Sequence, residues 1–127
     1  MSSSRCILII DDDDSIREFM GMALSDEGYR ILTAAHGAAA LQLIAGSRPD
    51  LILLDMRMPV MDGWEFARRY RALPGPQAPI VVLTAGRSAL EAAQEIGAAD
   101  SLAKPFDIQE LLAVIEHQIG RDGQGQA

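Results

Sequence analysis

The sequence predicts an α/β fold: one doubly wound parallel sheet of five strands with five helices on its two faces. Three observations carry this. Five short apolar runs (Cys6–Ile10, Tyr29–Ala34, Leu51–Leu54, Ile80–Leu83 and the weaker Ser101–Ala103) are each followed by a helix-like segment. "LILL" and "IVVL" are apolar throughout rather than alternating, as strands covered on both faces are. Strict strand–helix alternation calls for right-handed crossovers between parallel neighbours.

Each helix has its own punctuation. The first carries Ile16, Phe19, Met20, Ala23 and Leu24 as one apolar stripe. Ser15 and Glu18 stand at capping-box spacing at its start, and Gly28 stops it. The second spans about Ala38–Ala45 and ends at Gly46. The third follows Asp62, with Glu65 at the capping-box offset, and "PGPQAP" halts it. The fourth starts near Ser88, with Glu91 at the same offset, and ends at Gly97. The fifth follows Asp107, sets Ile108, Leu111, Leu112, Ile115 and Ile119 along one face, and ends near Gly120. Residues 1–120 then form one domain, and 121–127, "RDGQGQA", read as a polar tail or the start of a linker.

Composition narrows the function classes. A chain of 127 residues, 49% hydrophobic and 23% charged, suits a folded domain rather than a disordered one. No apolar run approaches the roughly 20 residues that span a bilayer, and the N-terminus lacks a secretory pattern, so the expected location is cytoplasmic. A net charge of −7 disfavours nucleic acid and anionic membrane as partners. The local exception, Arg68, Arg69 and Arg71, reads as a solvated helix face. Cys6, alone and inside an apolar run, reads as a buried thiol. His36 and His117 read as surface residues, Asp13 and Asp14 as helix-start residues, and Met56, Met58 and Met61 as packing groups. Trp64 reads equally as a packing residue or as one partly exposed near the site.

In such sheets ligands bind beyond the carboxyl ends of the strands. The five ends here present Asp11 and Asp12, then Thr33–Ala35, then Asp55, Thr84 and Lys104. Three carboxylates, a hydroxyl and an ammonium on one edge suit a hard divalent cation such as Mg²⁺ and a phosphoryl group. One carboxylate has the chemistry to be the nucleophile, forming an aspartyl phosphate.

The strings "IIDDDDSIR", "LLDMRMPVMDG", "VVLTA" and "KPF", in this order and spacing, resemble response-regulator receiver domains over about residues 5–119. The resemblance implies a flavodoxin-like sheet of order 2-1-3-4-5. It implies that Asp55 is the phosphoacceptor for a phosphohistidine on a sensor histidine kinase or phosphotransfer protein. Asp12 and Asp55 would bind Mg²⁺ directly, with the backbone carbonyl of Arg57 as a further ligand and Asp11 acting largely through water. Thr84 and Lys104 would each bind a phosphoryl oxygen. The Lys104–Pro105 bond would be cis, and Pro59, Asp62 and Gly63 would shape the turn into the third helix. The implied function is a phosphorylation-switched module in a two-component system, signalling by protein contact to an unidentified effector, and not a turnover enzyme. With Met1 close to the first strand and no output segment, the chain reads as a stand-alone protein, or else as one domain of a larger regulator.

Two features depart from the family pattern or tune it. Ser101 occupies the position, three before the lysine, where the family usually has Tyr or Phe. Serine cannot fill an aromatic-sized pocket, so the usual threonine–aromatic coupling is not expected, and a signal should pass through the loop after Thr84 or the fourth helix. Arg57 and Gly86, two residues after the phosphoacceptor and the threonine, flank the approach to the phosphoryl group. The rival readings are a constitutive binding module that no longer switches, an aspartyl-nucleophile phosphatase and an FMN protein. Arg57 stands where such a phosphatase would place a second Asp, and no Ser/Thr-rich phosphate loop follows the first strand.

Overall fold

The computed structural model describes residues 5–85 and 88–120. Five strands, β1 (Cys6–Ile10), β2 (Arg30–Ala34), β3 (Leu51–Asp55), β4 (Ile80–Ala85) and β5 (Asp100–Lys104), form one parallel sheet of order β2-β1-β3-β4-β5. They alternate with helices α1 (Asp14–Asp26), α2 (Gly37–Gly46), α3 (Gly63–Arg71), α4 (Ser88–Ile96) and α5 (Ile108–Ile119). The expected tail and Gly86 lie outside the described residues.

The strand period of two divides the apolar runs between two cores. Leu8, Ile10, Ile52, Leu54, Ile80 and Val82 face α2, α3 and α4, meeting Ala40, Ile44, Phe66, Tyr70, Ala92 and Ala93. Ile7, Ile9, Leu51, Leu53, Val81 and Leu83 face the other way, onto Met20 and Leu24 of α1 and Leu111 and Ile115 of α5. This double cover is why "LILL" and "IVVL" do not alternate. Burying each such side chain contributes about 1.5–3 kcal/mol, so the three inner strands are the rigid floor of the molecule. Cys6 is buried, and burial pushes its thiol above the ordinary range. Tyr29, expected at the start of β2, precedes the strand; its ring is buried and its hydroxyl donates to Gly120 O at 3.2 Å.

The helix starts both follow and correct the sequence reading. Asp107 and Glu110 form a complete capping box on α5. Asp62 caps α3 by accepting from Glu65 N–H, but the Glu65 carboxylate turns away to Arg68 and Arg69, so the box is half made. On α1 the expected Ser15–Glu18 box does not form. Asp13 takes the cap instead, its Oδ1 accepting from Ile16 N–H at 3.0 Å, which places Ser15 inside the first turn. His36 caps α2, its Nδ1 accepting from Ala39 N–H at 3.2 Å. The start of α4 at Ser88 agrees with the sequence reading, and the Ser88 side chain lies outside what is described.

Because Asp13 and not Ser15 satisfies the α1 N-terminus, Asp13→Ala should lower unfolding stability by about 1 kcal/mol while Ser15→Ala stays near wild type. Urea melts of the two variants check this; the reverse order would return the cap to Ser15.

Candidate functional site: the carboxyl edge of the sheet

Parallel register assembles the site. Ile10 pairs with Leu54, so the next residues outward, Asp11 and Asp55, are neighbours across β1 and β3. Asp55 pairs with Leu83, Thr84 with Ala103, and Ala85 with Lys104. Residues distant in sequence thus reach one edge without any side chain having to stretch. Asp11, Asp55 and Thr84 are the buried polar residues of the described chain, whereas Asp12 is exposed.

The four consecutive aspartates separate by burial and partner. Both Asp11 oxygens are engaged: Oδ1 accepts from Asp13 N–H at 2.9 Å, and Oδ2 accepts from Lys104 Nζ at 2.7 Å. Asp12 turns outward, free to meet an incoming ion. Asp13 caps α1, and Asp14 pairs with Arg17 at 2.6 Å on the surface. Arg17, which the sequence reading passed over, also donates to the Asp11 carbonyl at 2.7 Å, pinning the turn from strand to helix. Its spacing of three from Asp14 is an ordinary helix-pair signal, but its reach to a backbone oxygen is visible only in three dimensions.

Lys104 lies between two carboxylates, 2.7 Å from Asp11 and 3.8 Å from Asp55. One oxygen from each of Asp11, Asp12 and Asp55 falls within a group whose members are all within 4.8 Å of one another. Hard oxygen donors so grouped, with two members buried and one exposed, fit a divalent cation of the Mg²⁺ kind. Asp55 is pushed up to about 6, chiefly by burial and further by the negative charges of Asp11 and Asp12. Lys104 and a backbone hydrogen bond from Arg57 pull in the opposite direction without cancelling that rise.

Backbone geometry shapes the loops that leave β3 and β5 at this edge. The Lys104–Pro105 bond is cis. Val60 has φ 68°, and Pro59 O accepts from Met61 N–H at 2.7 Å, a γ-turn that swings the chain back toward Asp62. Gly63 lies so close to the start of this loop that a Cβ there would come within 2.7 Å of Met56 Cα and 3.0 Å of Asp55 O. Met56 is fully buried, and Met58 and Met61 pack against the core.

Trp64 does both things expected of it. It packs against the core cluster, and its edge reaches the surface, where Nε1 donates to Glu95 Oε1 at 2.7 Å. The Arg57 guanidinium lies over its ring, 5.8 Å from the centroid. Of the three arginines of α3, Arg68 and Arg69 pair with Glu65 on the solvated face, whereas Arg71 donates to Gly97 O at 2.9 Å and Ile96 O at 3.3 Å at the end of α4. Ser101 stands half-buried in β5 opposite Val82.

Comparison with known proteins agrees with this geometry. The family model described as the response regulator receiver domain matches residues 7–116. Response regulator MprA of Mycolicibacterium vanbaalenii is 43% identical over 127 residues, covering 95% of this chain and 54% of that protein. The chain thus spans about half the length of the curated relatives it matches. Among solved structures, the chemotaxis response regulator CheY4 of Vibrio cholerae superposes with a TM-score of 0.82 at 34% identity, covering 92% of this chain and all of that one. The receiver domain of sensor histidine kinase PA1611 from Pseudomonas aeruginosa PAO1 has a TM-score of 0.84 at 34% identity, covering 93% and 99%. That structure holds a magnesium ion coordinated in its active-site cleft.

The raised Asp55 has a consequence for stability. Between the ordinary 3.8 and about 6 the unfolded chain releases a proton that the folded chain keeps, so stability falls as pH rises through this window. In chelator, Asp55→Asn should therefore be more stable than wild type above pH 6, by up to roughly 3 kcal/mol, with the gain vanishing toward about pH 4. Denaturant melts across that range check it; a gain of the same size at both ends would show that ionisation of Asp55 is not the cause.

Proposed function

This chain belongs to the response regulator receiver family, and from that premise we propose that Asp55 accepts a phosphoryl group from the phosphohistidine of a sensor histidine kinase or phosphotransfer protein. The observation that carries the proposal is the placement of Asp55 at the sheet edge beside Lys104, within a cluster of carboxylates that suits a divalent cation.

In this reading the Asp55 carboxylate attacks phosphorus, the N–P bond breaks, and its electron pair stays on the imidazole nitrogen of the donor. Burial leaves the carboxylate poorly solvated, which favours attack once it is ionised. Lys104, held by Asp11 at 2.7 Å, is close enough to Asp55 to exchange that partner for a new phosphoryl oxygen. Thr84, buried at the end of β4, supplies a hydroxyl to a second oxygen. Asp12, Asp55 and the Arg57 carbonyl would hold Mg²⁺, with Asp11 bonding through water. When bound, the ion balances the negative charge gathered at the reacting oxygens. The PA1611 receiver domain, with its coordinated magnesium, supports that choice of metal.

The chain then acts as a phosphoacceptor that signals by protein contact rather than as an enzyme turning over a metabolite. Its place would be the cytoplasm; no helix of the described residues is long and apolar enough to cross a membrane. The expectation of no nucleic-acid contact concerns this chain alone, since its relatives extend well beyond it.

Incubation with acetyl phosphate and Mg²⁺, read by intact mass, tests the reading. Wild type should gain a phosphate adduct, Asp55→Asn none, and Asp12→Ala should lose most of the Mg²⁺-dependent adduct. No adduct on folded wild type would move the chain to the constitutive binding class.

A further inference from the structure

The position of Ser101 raises the question of what carries a change at Asp55 to the rest of the molecule. A continuous set of contacts leads from Asp55 to α4. The backbone of Arg57 hydrogen-bonds to the Asp55 carboxylate. The side chain of the same residue leaves the site and lays its guanidinium over the Trp64 ring, 5.8 Å from the centroid. The in-plane N–H of that ring donates to Glu95 Oε1 at 2.7 Å, and Glu95 belongs to α4. We infer that Arg57, Trp64 and Glu95 form a charge-coupled strut that positions the Arg57 guanidinium at the rim of the phosphoacceptor site and transmits occupancy of Asp55 to α4. This rests on the phosphoacceptor reading of Asp55 proposed above.

The three contacts reinforce one another. An anionic acceptor on the indole N–H makes the ring face more negative, which strengthens its hold on a guanidinium above it. A new dianionic group on Asp55, two residues from Arg57, competes for the same guanidinium. When Arg57 turns toward it, the ring loses its cation and the indole–Glu95 bond weakens, so the contact between α3 and α4 loosens at this end. Arg71 keeps a separate hold on the same, C-terminal end of α4 through Ile96 O and Gly97 O, so loosening at Trp64 lets the helix pivot there without releasing it. The aromatic position of β5 offers no comparable route, since Ser101 is small and only half-buried. Trp64 and Glu95 touch no member of the carboxylate cluster, and their role is positioning, not catalysis.

The chain has one tryptophan, so a single indole N–H resonance reports the strut directly. The experiment uses the full chain, phosphorylated with acetyl phosphate and Mg²⁺, with intact mass recorded beside the amide spectrum. In wild type the indole resonance and the α4 amides of residues 88–93 should move together on phosphorylation. Trp64→Phe, which keeps a ring under Arg57 but loses the N–H, and Glu95→Ala should take the adduct to the wild-type level yet show α4 shifts reduced about threefold. Glu95→Gln, which can still accept the indole bond, should restore part of the response. Wild-type α4 shifts in both Trp64→Phe and Glu95→Ala, each carrying the adduct, would overturn the strut alone. An adduct missing from wild type would instead overturn the phosphoacceptor reading on which it rests.

Discussion

The Lys104 ammonium, 2.7 Å from Asp11 and 3.8 Å from Asp55, is the interaction on which the carboxyl edge depends. Two carboxylates are removed from water there, and a third lies close by. Without a cation such a cluster would be expelled toward solvent or would hold protons to neutrality. Lys104 offsets part of the charge and leaves the rest for an ion and an anionic group to complete. The Asp55 carboxyl is raised chiefly because it is buried, and the charges of Asp11 and Asp12 add to that rise. The edge is thus stable enough to fold and unsatisfied enough to bind.

That balance needs a floor that does not yield. β1, β3 and β4 are covered on both faces by separate apolar clusters, one under α2, α3 and α4 and one under α1 and α5. Close-packed layers resist small displacements, so side chains at the strand ends are held at distances the floor dictates. The connecting turns do the finer work. Asp13 and Arg17 fix the exit from β1, and the close approach of Gly63 to Met56 fixes the exit from β3.

The core was legible because periodicity speaks directly of burial: runs such as "LILL" and "IVVL" have no solvent side and need two covers. The site residues were legible because each stands where an apolar run ends. The α1 cap was misread because Ser15 and Glu18 have the right spacing but begin two residues too late. With several acidic residues in succession, backbone geometry chooses which one meets the free N–H groups, and it chose Asp13. His36 as a cap left no such pattern at all.

From sequence alone came the strand–helix alternation, the doubly covered sheet and the set of chemical groups at its edge, since these follow from local patterning and from the chirality of crossovers. The family resemblance added the strand order. Tertiary structure decided what each group meets. It buried Asp11 and turned Asp12 outward, because β1 ends beneath the surface and the chain emerges there within one residue. It also joined Trp64 to Glu95 across 31 positions and brought Lys104 to Asp11 across 93. Distances of that kind arise when separate strands and helices pack, and no local pattern encodes them.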